Sequence, residues 1–349
     1  MKHFISFLTL LFFFSTSAKA QAPTEGLNYF LPLTSLEFTF EIEQTRFIPG
    51  ELAIYSDRYL KKPVKNTPET TYRIVNTQMK AIGEADTTKQ YAIAVDMKRT
   101  IISLKRDNNG MLTHINYEVT PQLTAETIQK KTTLSKKLNP RDFFTEEMLA
   151  AGSHAKLAEL VAKEIYNIRD SRNQLERGEA EFMPKDGEQL RIMLNRLDTQ
   201  EQALRQLFDG ETVSDTIETK IKYTPQPGKD KDVAFRFSTR LGVTDADDLA
   251  GEPYYISIED LKQVKPLPEN LPADKKAKDD IGLIVRLPGK IKVTLGNAKE
   301  TLLEKELYAG QYGRTENLSA NLFSKKMLTR IKLDSVTGNV ETLDIQPIE

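Results

Sequence analysis

The clearest pattern of hydrophobic and polar positions is a strict alternation that begins at Leu36. Apolar residues occupy every second position from Leu36 to Ile42, and Glu or Thr stands between them. A period of two predicts a β-strand with one buried face and one solvated face. Three later segments, TYRIV, QYAIAV and TIISLK, are typical of further strands, and the last of them enters a turn at Asn108-Asn109-Gly110. Asn and Gly tolerate the positive φ that a tight hairpin turn requires.

The middle of the chain changes to the period of a helix. Pro140 favours a helix start, so NPRDFFTEEMLAAG predicts a short helix, as GELAIYSDRYL does earlier in the chain. Ser153 can cap a longer helix whose apolar residues recur every three or four positions up to Leu175. The same spacing returns from Leu190 to Phe208. Two amphipathic helices joined by the short segment GEAEFMPKDG indicate a long antiparallel helical hairpin.

After Gly210 the strand period returns. The segments YYISI, GLIVRL and KIKVTL are typical strands, and the Pro-rich, charged stretch from Lys265 to Asp280 is predicted to be a surface loop or linker. We therefore predict an α+β protein with two β-rich, antiparallel parts separated by the long antiparallel helical hairpin. The predicted boundaries are a signal peptide at 1–20, an N-terminal β-rich domain at 21–120, a helical hairpin region at 121–212 and a C-terminal β-rich domain at 213–349.

Two glycine-centred segments, RDNNGMLTHINY around Gly110 and DSVTGNVETLDI around Gly338, have matching patterns. Apolar or aromatic residues follow both glycines at the same offsets, and before the glycines the offsets differ by one residue. Each segment therefore predicts a hairpin, and we expect each hairpin to close one β-rich half. The pattern is compatible with a duplication of the two halves. It is equally compatible with two unrelated hairpins that follow the same turn rules.

The first twenty residues have the layout of a secretory signal. A basic start precedes the apolar run from Phe4 to Phe14, and small residues stand at Ala18 and Ala20, so we predict cleavage between Ala20 and Gln21. The alternative is a membrane anchor, for which the apolar run is short. The chain has no Cys, and therefore neither disulfides nor the terminal Cys of a bacterial lipoprotein. We expect a secreted protein of the periplasm or cell surface that is not a lipoprotein and has no transmembrane segment in the mature chain.

The charges are nearly balanced, with 49 Lys and Arg residues against 50 Asp and Glu residues. Such a balance offers no basic surface for nucleic acid or an anionic membrane. His114 and His154 are the two His residues of the predicted mature chain, so we predict neither a His-based catalytic site nor a transition-metal site. The acidic run DADDLAGE, 245–252, matches no calcium loop, and a turn is favoured. We assign no catalytic residue, metal ligand or cofactor.

Three segments carry a resemblance to a known family: YFLPLTSLEFTFEIEQTRFIPG, AELVAKEIYNIRDSRNQLERGEAEFMPKDGEQL and QYGRTENLSANLF. In these segments the chain resembles a family of secreted proteins of unknown function from Bacteroides-like Gram-negative bacteria. The resemblance covers most of the mature chain. It implies an envelope location, and it implies no activity, substrate or catalytic residue. Such bacteria attach O-glycans where Asp precedes Ser or Thr and then a small apolar residue or Thr, so Thr87, Thr216 and Ser335 are candidate glycosylation sites.

The strongest candidate for a contact site lies between the two predicted long helices. Phe182 and Met183 stand there among charged residues, and exposed apolar residues at a projecting tip often mark a contact site. The alternative is that Phe182 folds back and plugs the end of the hairpin. We expect a non-enzymatic envelope protein that binds a protein or glycan partner. The alternatives are a hydrolase of envelope or dietary glycans that works through carboxylates, and a structural subunit of a surface assembly.

Overall fold

The computed structural model describes residues 26–94, 100–117, 138–265 and 282–348. Within these ranges the chain is β-rich and its named strands pair antiparallel, which confirms that part of the predicted fold class. The strands are β1 (Gly26–Ile48), β2 (Glu69–Ala94), β3 (Leu104–Arg106), β4 (Leu112–Ile115), β5 (Glu211–Tyr223), β6 (Lys231–Ser238), β7 (Gly242–Thr244), β8 (Glu252–Asp260), β9 (Leu283–Gly296), β10 (Thr301–Leu318), β11 (Met327–Leu333) and β12 (Val340–Pro347). The α-helices are α1 (Ser56–Leu60), α2 (Glu146–Leu149), α3 (His154–Arg177) and α4 (Gly187–Asp209).

Several strands are longer than the sequence predicts. TYRIV and all but the last residue of QYAIAV, predicted as separate strands, both belong to the 26-residue strand β2, which stays paired with β1 through Gly83. GLIVRL and KIKVTL likewise form the single strand β9, which continues through Pro288-Gly289. Glycine inside a strand often marks a close approach of another backbone rather than an end. Both glycines fit this description, since an ideal Cβ on Gly83 or Gly289 would lie within 2.2 Å of a backbone oxygen.

Three sheets enclose two hydrophobic β cores. The strand orders are β2-β1-β5, β10-β9-β8-β6-β7 and β12-β11-β4-β3. The first two sheets pack against each other around the first β core, whose buried residues include Leu36, Phe38, Phe40, Ile42, Phe235, Tyr254, Ile256 and Val293. The second β core is formed by the four-stranded sheet and the outer ends of β1, β2 and β9, with Tyr29, Leu31, Ile93, Ile115, Leu283, Phe323 and Ile331. The alternation predicted from Leu36 to Ile42 therefore does place one face of β1 in a core.

The sheets cross the domain boundaries that the sequence predicts. β5 pairs with β1 from Ile48 opposite Glu211 to Leu36 opposite Tyr223. In the four-stranded sheet β11 pairs with β4, so the two glycine-centred hairpins are neighbours in one sheet. The expectation that each hairpin closes a separate half is therefore wrong. The reason is that the apolar faces of both hairpins pack into the same second β core.

The turn chemistry of the two hairpins agrees with the prediction. Gly110 and Gly338 have φ angles of 79° and 76°, a region that residues with a Cβ rarely adopt. An Asp begins each turn: Asp107 accepts hydrogen bonds from the N–H groups of Asn109 and Met111, and Asp334 accepts one from the N–H of Val336. Asx turns of this kind depend on hydrogen bonds between an Asp side chain and nearby backbone N–H groups, so the local sequence is enough to indicate them.

Helices α3 and α4, which we call the helix pair, pack on the segment that follows β1. The side chain of Ser153 accepts a hydrogen bond from the N–H of Lys156 at 3.2 Å and caps α3 as predicted. Arg169 contacts Glu201 and Arg172 contacts Asp198, so the chain runs in opposite directions along the two helices. Their shared core contains Leu52, Met148, Val161, Ile165, Ile168, Leu204, Leu207 and Phe208.

Each of the two predicted short helices is divided into a 3₁₀ turn and a short α-helix. NPRDFFTEEMLAAG forms a 3₁₀ turn at Pro140–Phe143 and then the four-residue helix α2, because Thr145 is extended and caps α2. GELAIYSDRYL forms a 3₁₀ turn at Ala53–Tyr55 followed by α1. The predicted signal, its cleavage site at Ala20 and Gln21, and most of the predicted linker from 265 to 280 lie outside the described residues. In the ranges that are described, no helix has the length and apolar character needed to cross a membrane.

Candidate functional site

The segment from Gly178 to Asp186 joins α3 to α4 and holds the predicted contact residues. Phe182 is 81% exposed and Met183 is 42% exposed. Phe182 is the most exposed aromatic side chain in the part of the chain that the structure describes. At this exposure it does not plug the end of the helix pair, so the alternative reached from the sequence is wrong. We call Phe182 and Met183 the tip.

Both ends of this segment are fixed by local hydrogen bonds. Gly178 has a φ of 73° and closes α3, and its N–H donates to the carbonyl of Leu175 at 3.2 Å. Asp186 caps α4 by accepting a hydrogen bond from the N–H of Gln189 at 2.7 Å. The segment that holds the tip is therefore a short connection that is anchored at both ends.

The three candidate glycosylation sites lie in different parts of the fold. Thr87 is in β2, Thr216 is in β5, and Ser335 is in the turn between β11 and β12. All three residues are exposed. Exposure is a requirement for modification by an enzyme, and each candidate meets it.

The Asp residues that precede these candidates differ in accessibility. Asp86 is buried and ion-paired. Asp334 is half-buried, and its carboxylate accepts hydrogen bonds from the N–H of Val336 and the hydroxyl of Thr337. Asp215 is exposed, and its carboxylate accepts a hydrogen bond from the N–H of the next residue, Thr216. An enzyme that must contact the Asp would therefore reach Thr216 most easily.

The two histidines of the predicted mature chain lie in different elements. His114 is half-buried in β4, and its pKa is lowered by burial and by the nearby charges of Lys332 and Lys105. His154 is exposed at the start of α3, with its Nε2 3.6 Å from a carboxylate oxygen of Glu51. Over the described ranges, no group of three or more His, Cys, Asp or Glu residues is placed to hold a metal ion.

A second region of interest is the junction where β1, β2, β9 and β10 pass from one β core to the other. The turn Asp334–Gly338 fits into this junction. The hydroxyl of Thr34 donates a hydrogen bond to the carbonyl of Val336 at 3.0 Å, and the N–H of Arg286 donates one to the carbonyl of Gly338 at 3.0 Å. The turn that closes the last hairpin therefore also holds the two β cores together.

A buried ion pair lies at the same junction. Arg286 contacts Asp86 at 2.7 Å, and both side chains are only 7% exposed. Burial alone raises the pKa of the Asp86 carboxyl, but the hydrogen bonds from Thr88 and the positive charge of Arg286 outweigh it, so the pKa lies below its usual value. The Nε of Arg286 is buried and has no hydrogen-bond partner among the described residues.

A wide bulge in β10 borders this ion pair. Ala309 pairs with Gly289 and Arg314 pairs with Leu287, so the four residues between them, Gly310-Gln311-Tyr312-Gly313, leave the ladder. We call them the β10 bulge. The side-chain amide of Gln311 accepts a hydrogen bond from the N–H of Thr34 and donates to carbonyl oxygens of Thr34 and Pro225. Bulges of this kind redirect side chains and occur next to functional sites.

Two clefts flank the β10 bulge. The smaller one, which we call the cation cleft, has a volume of about 300 Å³ and is lined by residues that include Asp86, Lys89, Tyr91, Arg286, Gln311 and Arg314. The larger one, the acidic cleft, has a volume of about 690 Å³ and is lined by residues that include Asp230, Glu259, Asp260, Lys262, Lys292 and Tyr312. Polar and charged groups dominate both linings.

Sequence reasoning missed these clefts because their residues are far apart in the chain. Asp86 and Arg286, for example, are 200 positions apart. One local signal was available, since the glycines of Gly310-Gln311-Tyr312-Gly313 inside a strand pattern suggest a bulge. The tip, in contrast, lies in one continuous segment, so the sequence alone could mark it as a candidate.

The described part of the chain is thus a β-rich fold with antiparallel sheets and α-helices. It is a member of the family described as the domain of unknown function DUF4831, whose model matches residues 25–341. The expectation of an uncharacterised family that covers most of the chain is confirmed. No curated protein and no solved structure shows a significant match to the chain.

Proposed function

We propose that this chain is a non-enzymatic, secreted protein of the cell envelope, in the periplasm or at the cell surface, that binds a protein or glycan partner through the tip. The observation that carries the proposal is the exposure of Phe182 at the end of the helix pair. In this proposal the helix pair forms the predicted long antiparallel helical hairpin and supports the tip.

The energetics of the tip favour a contact role. Full burial of a Phe or Met side chain contributes about 1.5–3 kcal/mol, and aromatic residues are common anchors in interfaces. Further exposed apolar residues follow the tip along the chain: Ile192 and Met193, in the first two turns of α4, are 44% and 40% exposed. Because Gly178 and Asp186 anchor the connection, little ordering is needed on binding.

A matched pair of variants tests the tip. Phe182→Ser combined with Met183→Ser removes the apolar tip, and Leu249→Ser removes an equally exposed apolar side chain, at 83%, from a loop elsewhere. Crosslinking pull-downs from envelope extracts would compare both with the unmodified protein. We expect partners to be lost with the tip variant and kept with Leu249→Ser. Unchanged partners in both variants would show that the tip is not the contact site. Co-purification of both variants with a partner in fixed stoichiometry would favour a structural subunit.

Mass spectrometry of the protein isolated from its bacterium tests secretion and glycosylation together. We expect the mature chain to begin at Gln21. We expect glycans at Thr216 and Ser335 before Thr87, because Asp86 is buried and ion-paired. Retention of residues 1–20 would contradict export through a cleaved signal.

The acidic cleft supports the alternative of a glycan hydrolase, because three carboxylates, those of Asp230, Glu259 and Asp260, line it. Glycoside hydrolysis generally uses a pair of carboxylates. The purified protein would be screened against polysaccharide and peptidoglycan libraries. Sustained turnover that Glu259→Gln abolishes would replace the binding proposal with the hydrolase.

A further inference from the structure

The cation cleft has a charge pattern that the proposed function does not use. It lies at the junction of the two β cores, in a different part of the fold from the tip, and its lining joins residues of β2, β9 and β10.

Two of the three cations in this cleft are already paired. Arg286 pairs with Asp86 at 2.7 Å, and Arg314 donates a hydrogen bond from its Nε to Glu316 at 2.7 Å. Lys89 is exposed and makes no ion pair or hydrogen bond within the described part of the chain. Among the residues that the structure describes, Lys89 is therefore the cation of this cleft that remains without a counter-charge.

Arg286, which lines the cleft, also carries a donor that lacks an acceptor. Arg286 is 6% exposed, and its buried Nε has no partner among the residues that the structure describes. A buried donor without an acceptor costs about 1–3 kcal/mol. The Arg286 side chain is held in place by its ion pair with Asp86 at 2.7 Å. A cleft wall that is fixed in this way loses little conformational entropy when a ligand binds.

We propose that the cation cleft binds a small organic carboxylate whose charge pairs with Lys89. A single uncompensated cation matches a monoanion, whereas a phosphate dianion would bring an excess negative charge next to Asp86. The volume of about 300 Å³ lies at the lower end for small-molecule sites, which limits the ligand to a small one. The polar lining, with Gln311, Tyr91 and Thr315, suits a ligand that also carries hydroxyl or amide groups.

Calorimetric titration of the mature full-length protein tests the ligand class. Glucuronate and N-acetylglycine provide the carboxylate on a sugar and on an amide, glucose is the neutral match for glucuronate, and inorganic phosphate is the dianion. We expect saturable binding of at least one carboxylate with a Kd of about 1 mM or tighter, no binding of glucose, and weaker binding as salt is added. Whichever of the two carboxylates binds more tightly indicates whether the ligand is a sugar acid or an amide-bearing acid. No saturable binding of either carboxylate, or equally tight binding of phosphate, would overturn the proposal.

Lysine variants in β2 test whether the carboxylate binds in the cation cleft. Lys89→Gln removes the unpaired charge, and Lys80→Gln removes an exposed lysine of the same strand that does not line the cleft. We expect Lys89→Gln to weaken carboxylate binding about tenfold or more, Lys89→Arg to restore most of it, and Lys80→Gln to change little. Circular dichroism would verify that all three fold. An equal loss in Lys89→Gln and Lys80→Gln would show that the anion binds elsewhere or through overall charge.

Discussion

Gly83→Ala is the substitution that best tests how the two β cores are joined. Gly83 lies in β2 opposite Thr34 of β1, and an ideal Cβ there would lie 1.8 Å from the backbone oxygen of Ser335. The added methyl therefore meets backbone of the turn Asp334–Gly338 rather than a flexible side chain. Overpacking of this kind costs about 1–3 kcal/mol. Displacing the turn would also strain its two hydrogen bonds to β1 and β9, at about 1 kcal/mol each.

We expect Gly83→Ala to lower the free energy of unfolding by about 3 kcal/mol. Urea denaturation followed by far-UV circular dichroism would measure it, and hydrogen exchange would show faster exchange at the N–H of Arg286, which donates to the turn. Gly187→Ala is the matched control, because no atom lies within 4 Å of its ideal Cβ at the start of α4. It should leave stability unchanged or raise it by up to about 1 kcal/mol. A loss below about 0.5 kcal/mol for Gly83→Ala would refute the close packing of the turn.

Three further substitutions test other parts of the structure. Glu201→Ala removes the buried carboxylate that pairs with two arginines of α3, and we expect the helix pair to lose about 1–3 kcal/mol, measured by thermal unfolding at 222 nm; an unchanged melting temperature would contradict this. The fold lowers the pKa of Asp86, so its carboxylate stabilises the protein at pH values above the unfolded pKa, and this stabilisation is lost as the pH falls through the folded pKa. Asp86→Asn should therefore have a lower free energy of unfolding than the parent at pH 7 and a closer one below about pH 4. A difference that stays constant with pH would contradict this. Gln311→Ala removes hydrogen bonds to Thr34 and Pro225 and should cost about 1–3 kcal/mol in urea denaturation, whereas a neutral result would show that the β10 bulge holds its shape without them.

Local chemistry made part of the fold predictable. The alternation from Leu36 to Ile42 was enough to predict a strand with one buried face, and Ser153 was enough to predict where α3 begins. Gly110 and Gly338 were recognised as turn residues because positive φ is a local requirement. In each case the deciding interaction lies within a few residues of the signal.

The pairing of strands could not be predicted in the same way. Nothing in the pattern of β5 indicates that it joins β1, since Thr45 and Ser214 are 169 positions apart. The same limit applies to the cation cleft, where Lys89 of β2 comes together with the β10 bulge. Period-two patterns define the faces of a strand, and long-range packing decides which strand lies beside it.

The proposed binding role of the tip is tested most directly by a photo-crosslinking amino acid placed at position 182 in the protein as its own host cell produces it. The same amino acid at position 249, where Leu249 is as exposed as Phe182, is the control. We predict a defined crosslinked adduct with an envelope component from position 182 and none from position 249. Identical adducts from both positions, or no adduct from position 182, would contradict the proposal that the tip binds a partner.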